Sequence, residues 1–187
     1  MQTNNKKLVV VLGPTAIGKT ALAIELAKYL DTEIVSSDSR QFYNELNIGV
    51  ARPSDDELKA VKHHLIANLS VEDYYNVSMY EQDALRCLDT IFAAKDIAVC
   101  VGGSGLYIDA LCRGIADLPD PDPELRKKLR EDYEKGGIEE IRFQLKFSDP
   151  EYYNEVDLAN PIRILRALEV CYMTGKPFSA VRKQAQK

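Results

Sequence analysis

The 187-residue sequence has no tryptophan and only two histidines, the adjacent His63 and His64. Its four cysteines, Cys87, Cys100, Cys112 and Cys171, are scattered without a C-x-x-C pair. That pattern excludes a zinc-like ligand cluster and a disulfide framework, so free cytosolic thiols packed as small hydrophobes are expected. Long apolar runs are also missing. The longest, Leu8 to Leu12, is far short of the roughly 20 residues that cross a bilayer. It stops at Gly13-Pro14, too soon for a signal peptide. A cytosolic chain with no membrane partner is expected. Nor is there an excess of positive charge: the net charge is −5, which excludes a nucleic-acid binder working by bulk charge alone. The imbalance is local. Residues 1–120 carry 11 basic and 17 acidic side chains, whereas from Pro161 onward there are six basic against one acidic. A polyanion would meet that late segment, the alternative being a solvated helix face.

What is present is ordinary for a globular protein, with 45% apolar and 28% charged residues, enough for one domain or one plus part of another. Lys7 to Leu12 reads as a fully buried strand and Gly18 to Leu30 as a helix with Leu22, Leu26 and Leu30 on its inner face. Glu33 to Ser36 and Ile97 to Val101 read as further strands, and His63-His64 as the start of a short one. Ser78-x-x-Glu81 reads as a capping box opening a helix to about Ala94. Strands alternating with helices predict an α/β fold, a parallel sheet with helices on both faces. After Gly114 the texture changes. Leu118 to Pro123 is a stiff linker, Asp122 an N-cap with Pro123 in the first turn, and helices are expected over 123–135, 138–146 and 161–174, the last capped by Asn160 and stopped by Gly175. The division expected is an α/β core over 1–115 and a helical segment over 116–187.

The sharpest motif is Gly13-Pro14-Thr15-Ala16-Ile17-Gly18-Lys19-Thr20, which fits G-x-x-x-x-G-K-[ST] between a strand and a helix. Glycines there let successive backbone N–H groups turn toward a phosphate, and the helix N-terminus adds partial positive charge. Lys19 supplies a point charge and the Thr20 hydroxyl a ligand for Mg²⁺. A nucleoside triphosphatase would also want an acid closing a later apolar strand. The strand Ile97 to Val101 runs instead into Gly102-Gly103, and Asp96 lies at its opposite end. The acid that does follow a strand is Asp38, a candidate proton acceptor or Mg²⁺ ligand, or simply a turn residue.

Further blocks follow in order: Asp38-Ser39-Arg40-Gln41, His63-His64-Leu65-Ile66, Gly102-Gly103-Ser104-Gly105-Leu106-Tyr107, Leu118-Pro119, Asp122-Pro123-x-x-Arg126, and Arg163-x-x-Arg166-Ala167-Leu168-Glu169-Val170 with Thr174-Gly175-Lys176-Pro177. Together with the phosphate loop, they make the chain resemble the tRNA dimethylallyltransferase family over nearly its whole length. Members of that family move a dimethylallyl group from its diphosphate to the exocyclic amine of the adenine 3′ of the anticodon. The resemblance implies a P-loop NTPase-like core followed by a helical insertion that binds RNA. It implies that Gly13 to Thr20 hold the diphosphate, with Thr15 near the leaving oxygen, Lys19 on the phosphates and Thr20 on Mg²⁺. Asp38 would be the general base, and Ser39, Arg40 and Gln41 would seat the flipped adenine. Ser104, Arg126, Ile162, Arg163, Ile164, Leu165 and Arg166 would touch the RNA. Ser104 replaces the commoner threonine and keeps its hydroxyl, and Asn160 stands where many members have aspartate. The implied partners are a tRNA anticodon stem-loop and dimethylallyl diphosphate, with the protein a monomer. Members also run on beyond this length, so the chain is expected to lack a C-terminal part, and its activity alone is an open matter.

Three other readings compete. An adenylate prenyltransferase would have little use for the helical insertion. A small-molecule kinase would want the missing acid. A non-catalytic phosphate- or RNA-binding fragment would fit the length. His63 and His64 are expected to be structural unless they face the cleft, and Tyr74, Tyr75, Tyr80, Tyr152 and Tyr153 to cover core edges more often than stack on bases.

Overall fold

Lys7–Leu12 extends as β1, followed by α1 (Lys19–Tyr29), β2 (Ile34–Ser36), α2 (Asp55–Ala60), β3 (His63–His64), α3 (Val77–Phe92), β4 (Ile97–Gly102) and α4 (Gly105–Arg113). The structure, a computed structural model, describes residues 5–115 and 118–185 and divides into two units, Met1–Ile115 and Ala116–Lys187. The expected boundary adjoins residues 116 and 117, which lie outside the described part.

The strands of the first unit form one parallel sheet in the order β1-β4-β2-β3. The chain crosses from β1 to β2 in one direction and returns from β3 to β4 in the other. Right-handed crossovers running in opposite directions place their helices on opposite faces. Side-chain alternation agrees. Leu8, Val10, Val35, Ala98 and Cys100 pack with Tyr80, Ala84, Leu88 and Ile91 of α3. Val9, Val11, Ile34, Val99 and Val101 pack with Ala23, Ile24 and Ala27 of α1. This is the doubly covered α/β sheet that the pattern predicts.

Several details differ from expectation. β1 is an edge strand and is half-buried along most of its length, because nothing among the described residues pairs with its outer side. Leu22 is 54% exposed, and α1 instead buries Ala23, Ile24 and Ala27, whose small side chains let the helix lie close to the sheet. Asn76, not Ser78, caps α3: its side chain accepts from the Met79 N–H, starting the helix two residues earlier. The capping box that forms is Ser54 with Glu57, where the Ser54 N–H donates to Glu57 Oε2 at 2.8 Å and opens α2. Cys112 is exposed, whereas Cys100 and Cys171 are buried as expected.

The second unit contains α5 (Pro123–Ser148), α6 (Pro150–Glu155), α7 (Pro161–Thr174) and α8 (Phe178–Ala185), and no strand among its described residues. Gly137, at φ 70° and ψ −169°, breaks α5 into the two helical stretches expected there. Asp122 and Asn160 cap α5 and α7, and Gly175, at φ 66°, ends α7. The unit has its own core, built on Leu129, Ile141, Leu145, Ile164, Leu168 and Phe178. Tyr152 packs against Phe178, so it is a core residue and not a base-stacking platform. Asp149, fully buried, ties this unit together. Its Oδ1 accepts from the Tyr152 N–H at 2.9 Å and the Ser179 hydroxyl at 2.8 Å, and its Oδ2 from the Ser179 N–H at 2.6 Å. Asp149→Ala strands these donors and is expected to cost about 3 kcal/mol, read as a lowered denaturant midpoint by circular dichroism. An unchanged midpoint would show that Asp149 carries no such weight.

Candidate functional site

Parallel strands present all their carboxyl ends at one sheet edge, so three loops gather there: Gly13–Gly18 after β1, Ser37–Gln41 after β2 and Gly103–Ser104 after β4. In the first, Ala16 (φ 65°) and Gly18 (φ 91°) are left-handed, the backbone habit of an anion-binding nest. Gly18 is also the N-cap of α1 and has no side chain to satisfy the first N–H groups, and no acid stands in the first turn. That helix end is therefore electrostatically and sterically fit for a phosphate. Lys19 Nζ bends back to Pro14 O at 2.5 Å, holding its charge over the loop. Asp96, ion-paired with Lys6 at 2.9 Å, lies at the opposite edge.

Between these loops β4 ends at Gly102 and Gly103 follows it, and the first of the two has no room for a side chain. A Cβ on Gly102 would lie 2.2 Å from Ser37 O, and one on Gly103 would lie 3.4 Å from Gly13 O. This close approach brings Asp38 to the phosphate loop. Asp38 is half-buried, and its Oδ1 accepts from the Arg40 N–H at 3.0 Å. Ser104 Oγ accepts from the Ser39 N–H at 3.0 Å and lies 3.2 Å from Ser39 Oγ, joining two of the loops. Behind them the Tyr80 hydroxyl, in a buried cluster with Phe42 and Tyr107, donates to Ser36 O at 3.2 Å. Tyr80 is thus a support for the β2 terminus, not a base-stacking surface.

Two clefts meet at this edge. One is lined by Thr15, Ala16, Gly18, Lys19, Thr20, Asp38, Arg52, Glu57 and His63. The other is lined by Pro14, Thr15, Asp38, Ser39, Arg40, Gly49, Val50, Ala51 and Ser104. Thr15, Asp38 and Ala51 belong to both, and the first two carry the polar groups. Gln41 is buried and its amide is engaged at both ends, accepting from Ser36 Oγ at 3.1 Å and donating to Ala51 O at 2.6 Å. It therefore shapes the loop over the site and faces the phosphate-side cleft. Arg52, absent from the sequence reading, donates to Asn47 Oδ1 at 3.2 Å and to the Tyr43 carbonyl, bracing that loop. Its signal was the segment Ala51-Arg52-Pro53 just before the capping box. His63 does face the cleft: its Nδ1–H donates to Val61 O at 2.9 Å, and burial holds the imidazole below the usual histidine range. His64 instead meets Glu33 at 2.6 Å.

A sequence profile of the family described as IPP transferase matches residues 41–187. The chain belongs to the IPP transferase family. It is 47% identical over 180 residues to tRNA dimethylallyltransferase 1 of Bacteroides thetaiotaomicron, with 96% of this chain and 58% of that one aligned. Identity is 51% over 177 residues to tRNA dimethylallyltransferase 2 of Azobacteroides pseudotrichonymphae, covering 95% of this chain and 58% of that one. Among solved structures, a eukaryotic dimethylallyltransferase acting on tRNA matches with a TM-score of 0.80 at 26% identity, over 97% of this chain and 45% of that one. A tRNA isopentenylpyrophosphate transferase from Bacillus halodurans matches with a TM-score of 0.57 at 31% identity, over 92% and 57%. The chain thus spans about 58% of the length of the curated relatives it matches. These likenesses agree with the P-loop NTPase-like α/β fold.

The residues of the second unit expected to touch RNA do not share one fate. Ile162 is 78% exposed on α7 and Arg163 is exposed beside it. Ile164 is fully buried in the helical core, so its expected RNA contact is not available. A helix turns about 100° per residue, and five consecutive side chains cannot all face outward. Leu165 is half-buried against the same core. Arg126 Nη2 and Arg166 Nη1 both donate to Glu169 Oε2, at 3.0 and 2.7 Å, and Arg166 Nη2 donates to Pro119 O at 2.8 Å.

Proposed function

We propose that this chain acts on a dimethylallyl diphosphate and an adenine of the tRNA anticodon loop, transferring the dimethylallyl group to the exocyclic amine of the adenine 3′ of the anticodon. The observation that carries this reading is the pair of clefts sharing Thr15 and Asp38, one on the phosphate loop and the other lined by Ser39, Arg40 and Ser104. A two-substrate displacement asks for that arrangement. The amine's lone pair is delocalised into the purine, so it is a weak nucleophile that needs placement beside the allylic carbon and a carboxylate to take its proton. In the proposed step the new N–C bond forms, the C–O bond to diphosphate breaks, and the amine proton passes to Asp38. Charge building on the leaving diphosphate falls on the loop N–H groups, Lys19 and the Thr15 hydroxyl. The base has to leave its stack, which costs only a few kcal/mol in an unpaired loop.

Among the described residues no three His, Cys, Asp or Glu side chains are grouped as a metal site. The Thr20 hydroxyl lines the phosphate-side cleft and would hold a magnesium ion arriving on the diphosphate, where the ion would neutralise phosphate charge. No helix among the described residues is long and apolar enough to cross a membrane. We take the active species as a cytosolic monomer.

The test combines the 187-residue chain with dimethylallyl diphosphate, Mg²⁺ and an anticodon stem-loop carrying that adenine, and follows mass. A gain of one dimethylallyl group is expected. No transfer with diphosphate binding intact would reduce the chain to a binding unit. Lys19→Ala should weaken diphosphate binding about 100-fold by calorimetry, because it removes the charge-assisted hydrogen bonds of the loop's lysine. Unchanged affinity would remove the phosphate-loop assignment.

A further inference from the structure

Glu169 is a carboxylate in the wrong place for stability. Its side chain is 2% exposed, Oε2 takes both arginines, and Oε1 has no hydrogen-bond partner among the described residues. A buried ion pair is commonly matched or bettered by an apolar residue of similar size, and an orphaned buried oxygen adds a further penalty. What the arrangement does achieve is geometric. Arg126 on α5 and Arg166 on α7 converge on one oxygen, which fixes two guanidinium groups side by side, and the Pro119 carbonyl holds the second from another direction. The arginine side chains remain 40% and 29% exposed, and both line a cleft of about 250 Å³ together with Arg130, Ile162, Leu165 and Glu169 itself. Glu169 lies at the floor of that cleft, with almost all of its surface covered by the two arginines and the helical core.

We propose that Glu169 is a positioning residue for RNA recognition: it never touches the RNA, but sets the separation and orientation of Arg126 and Arg166 that do. This rests on the RNA-acting reading above and adds to it the residue that organises the contact. A carboxylate held against two arginines can act in two opposite ways on a phosphate ligand. As a competitor it masks the arginines, and removing it strengthens binding. As a positioner it prepares the fork, and removing it leaves two like charges to repel and swing apart, so binding weakens despite a more positive cleft. The sign of the effect therefore separates the two.

The experiment measures affinity for a fluorescent anticodon stem-loop RNA by anisotropy for the 187-residue chain, E169Q, R126A and E169Q/R126A. Affinity should fall about tenfold in E169Q and in R126A, and the double variant should be no worse than about the weaker single, since both remove one device. Binding by E169Q as tight as or tighter than the parent, with R126A still impaired, overturns the positioning role and leaves the RNA reading standing. An RNA affinity absent in the parent chain, or untouched by R126A, overturns both. If E169Q fails to fold, R166K decides. It keeps the charge but cannot reach Glu169 and the Pro119 carbonyl together, so positioning requires weaker binding and a simple charge effect requires none.

Discussion

Asp38→Asn is expected to slow dimethylallyl transfer by a factor on the order of 10³, with diphosphate affinity changed less than about threefold. Asparagine keeps the size of the side chain, and its carbonyl oxygen can still accept from the Arg40 N–H as Asp38 Oδ1 does at 3.0 Å. The loop and both clefts should therefore survive. What is lost is the group that accepts the amine proton, and the deficit belongs to the chemical step. Single-turnover transfer at saturating diphosphate, with calorimetry of diphosphate binding beside it, separates the two. Transfer at the parent rate would mean that Asp38 is only the turn acid that its position also allows. A parallel loss of diphosphate affinity would mean that it belongs to the phosphate site.

The second large effect is expected from Gly102→Ala. The added Cβ would lie 2.2 Å from Ser37 O and 2.4 Å from the carbonyl carbon, both backbone atoms of the neighbouring strand's end. No rotamer relieves such a contact, so β4 and the segment leading to Asp38 must separate. The cost is about 4 kcal/mol, and in a chain of this size the melting temperature should fall by about 10 °C. Diphosphate binding should fall with it. Gly105→Ala is the control. Nothing among the described residues lies within 4 Å of a Cβ there, and the residue begins α4, so its melting temperature should hold or rise slightly. If Gly102→Ala melts with the parent, the close approach of the two strand ends is not what builds the site.

The candidate site elements were legible because each needs a local signature. A phosphate loop needs glycines and a lysine at fixed spacing, and Gly13 to Thr20 have them. An acid after a β-branched strand lands at the ligand edge of a parallel sheet, which placed Asp38. Helix ends at Asp122, Asn160 and Gly175 were readable because capping is a matter of one or two residues. Where local signals competed, reading failed. Ser78-x-x-Glu81 and Ser54-x-x-Glu57 have the same form, and only the second makes the box. The leucine stripe of α1 looked like its inner face, but close packing on the sheet favoured Ala23 and Ala27.

The sequence by itself determined the local candidates along the chain: which loop has the form of a phosphate cradle, which acid follows a strand, where α5 and α7 start. Only the tertiary structure decided what those points are to one another. Strand order put β4 between the phosphate loop and Asp38, so a residue without a side chain at Gly102 became the condition for their close approach. The turn of α7 sent Ile164 inward and left Ile162 out. The crossing of α5 and α7 gave two arginines forty residues apart one carboxylate oxygen in common. Contacts between distant residues are set by packing geometry, which a single sequence records only as side-chain sizes that happen to fit.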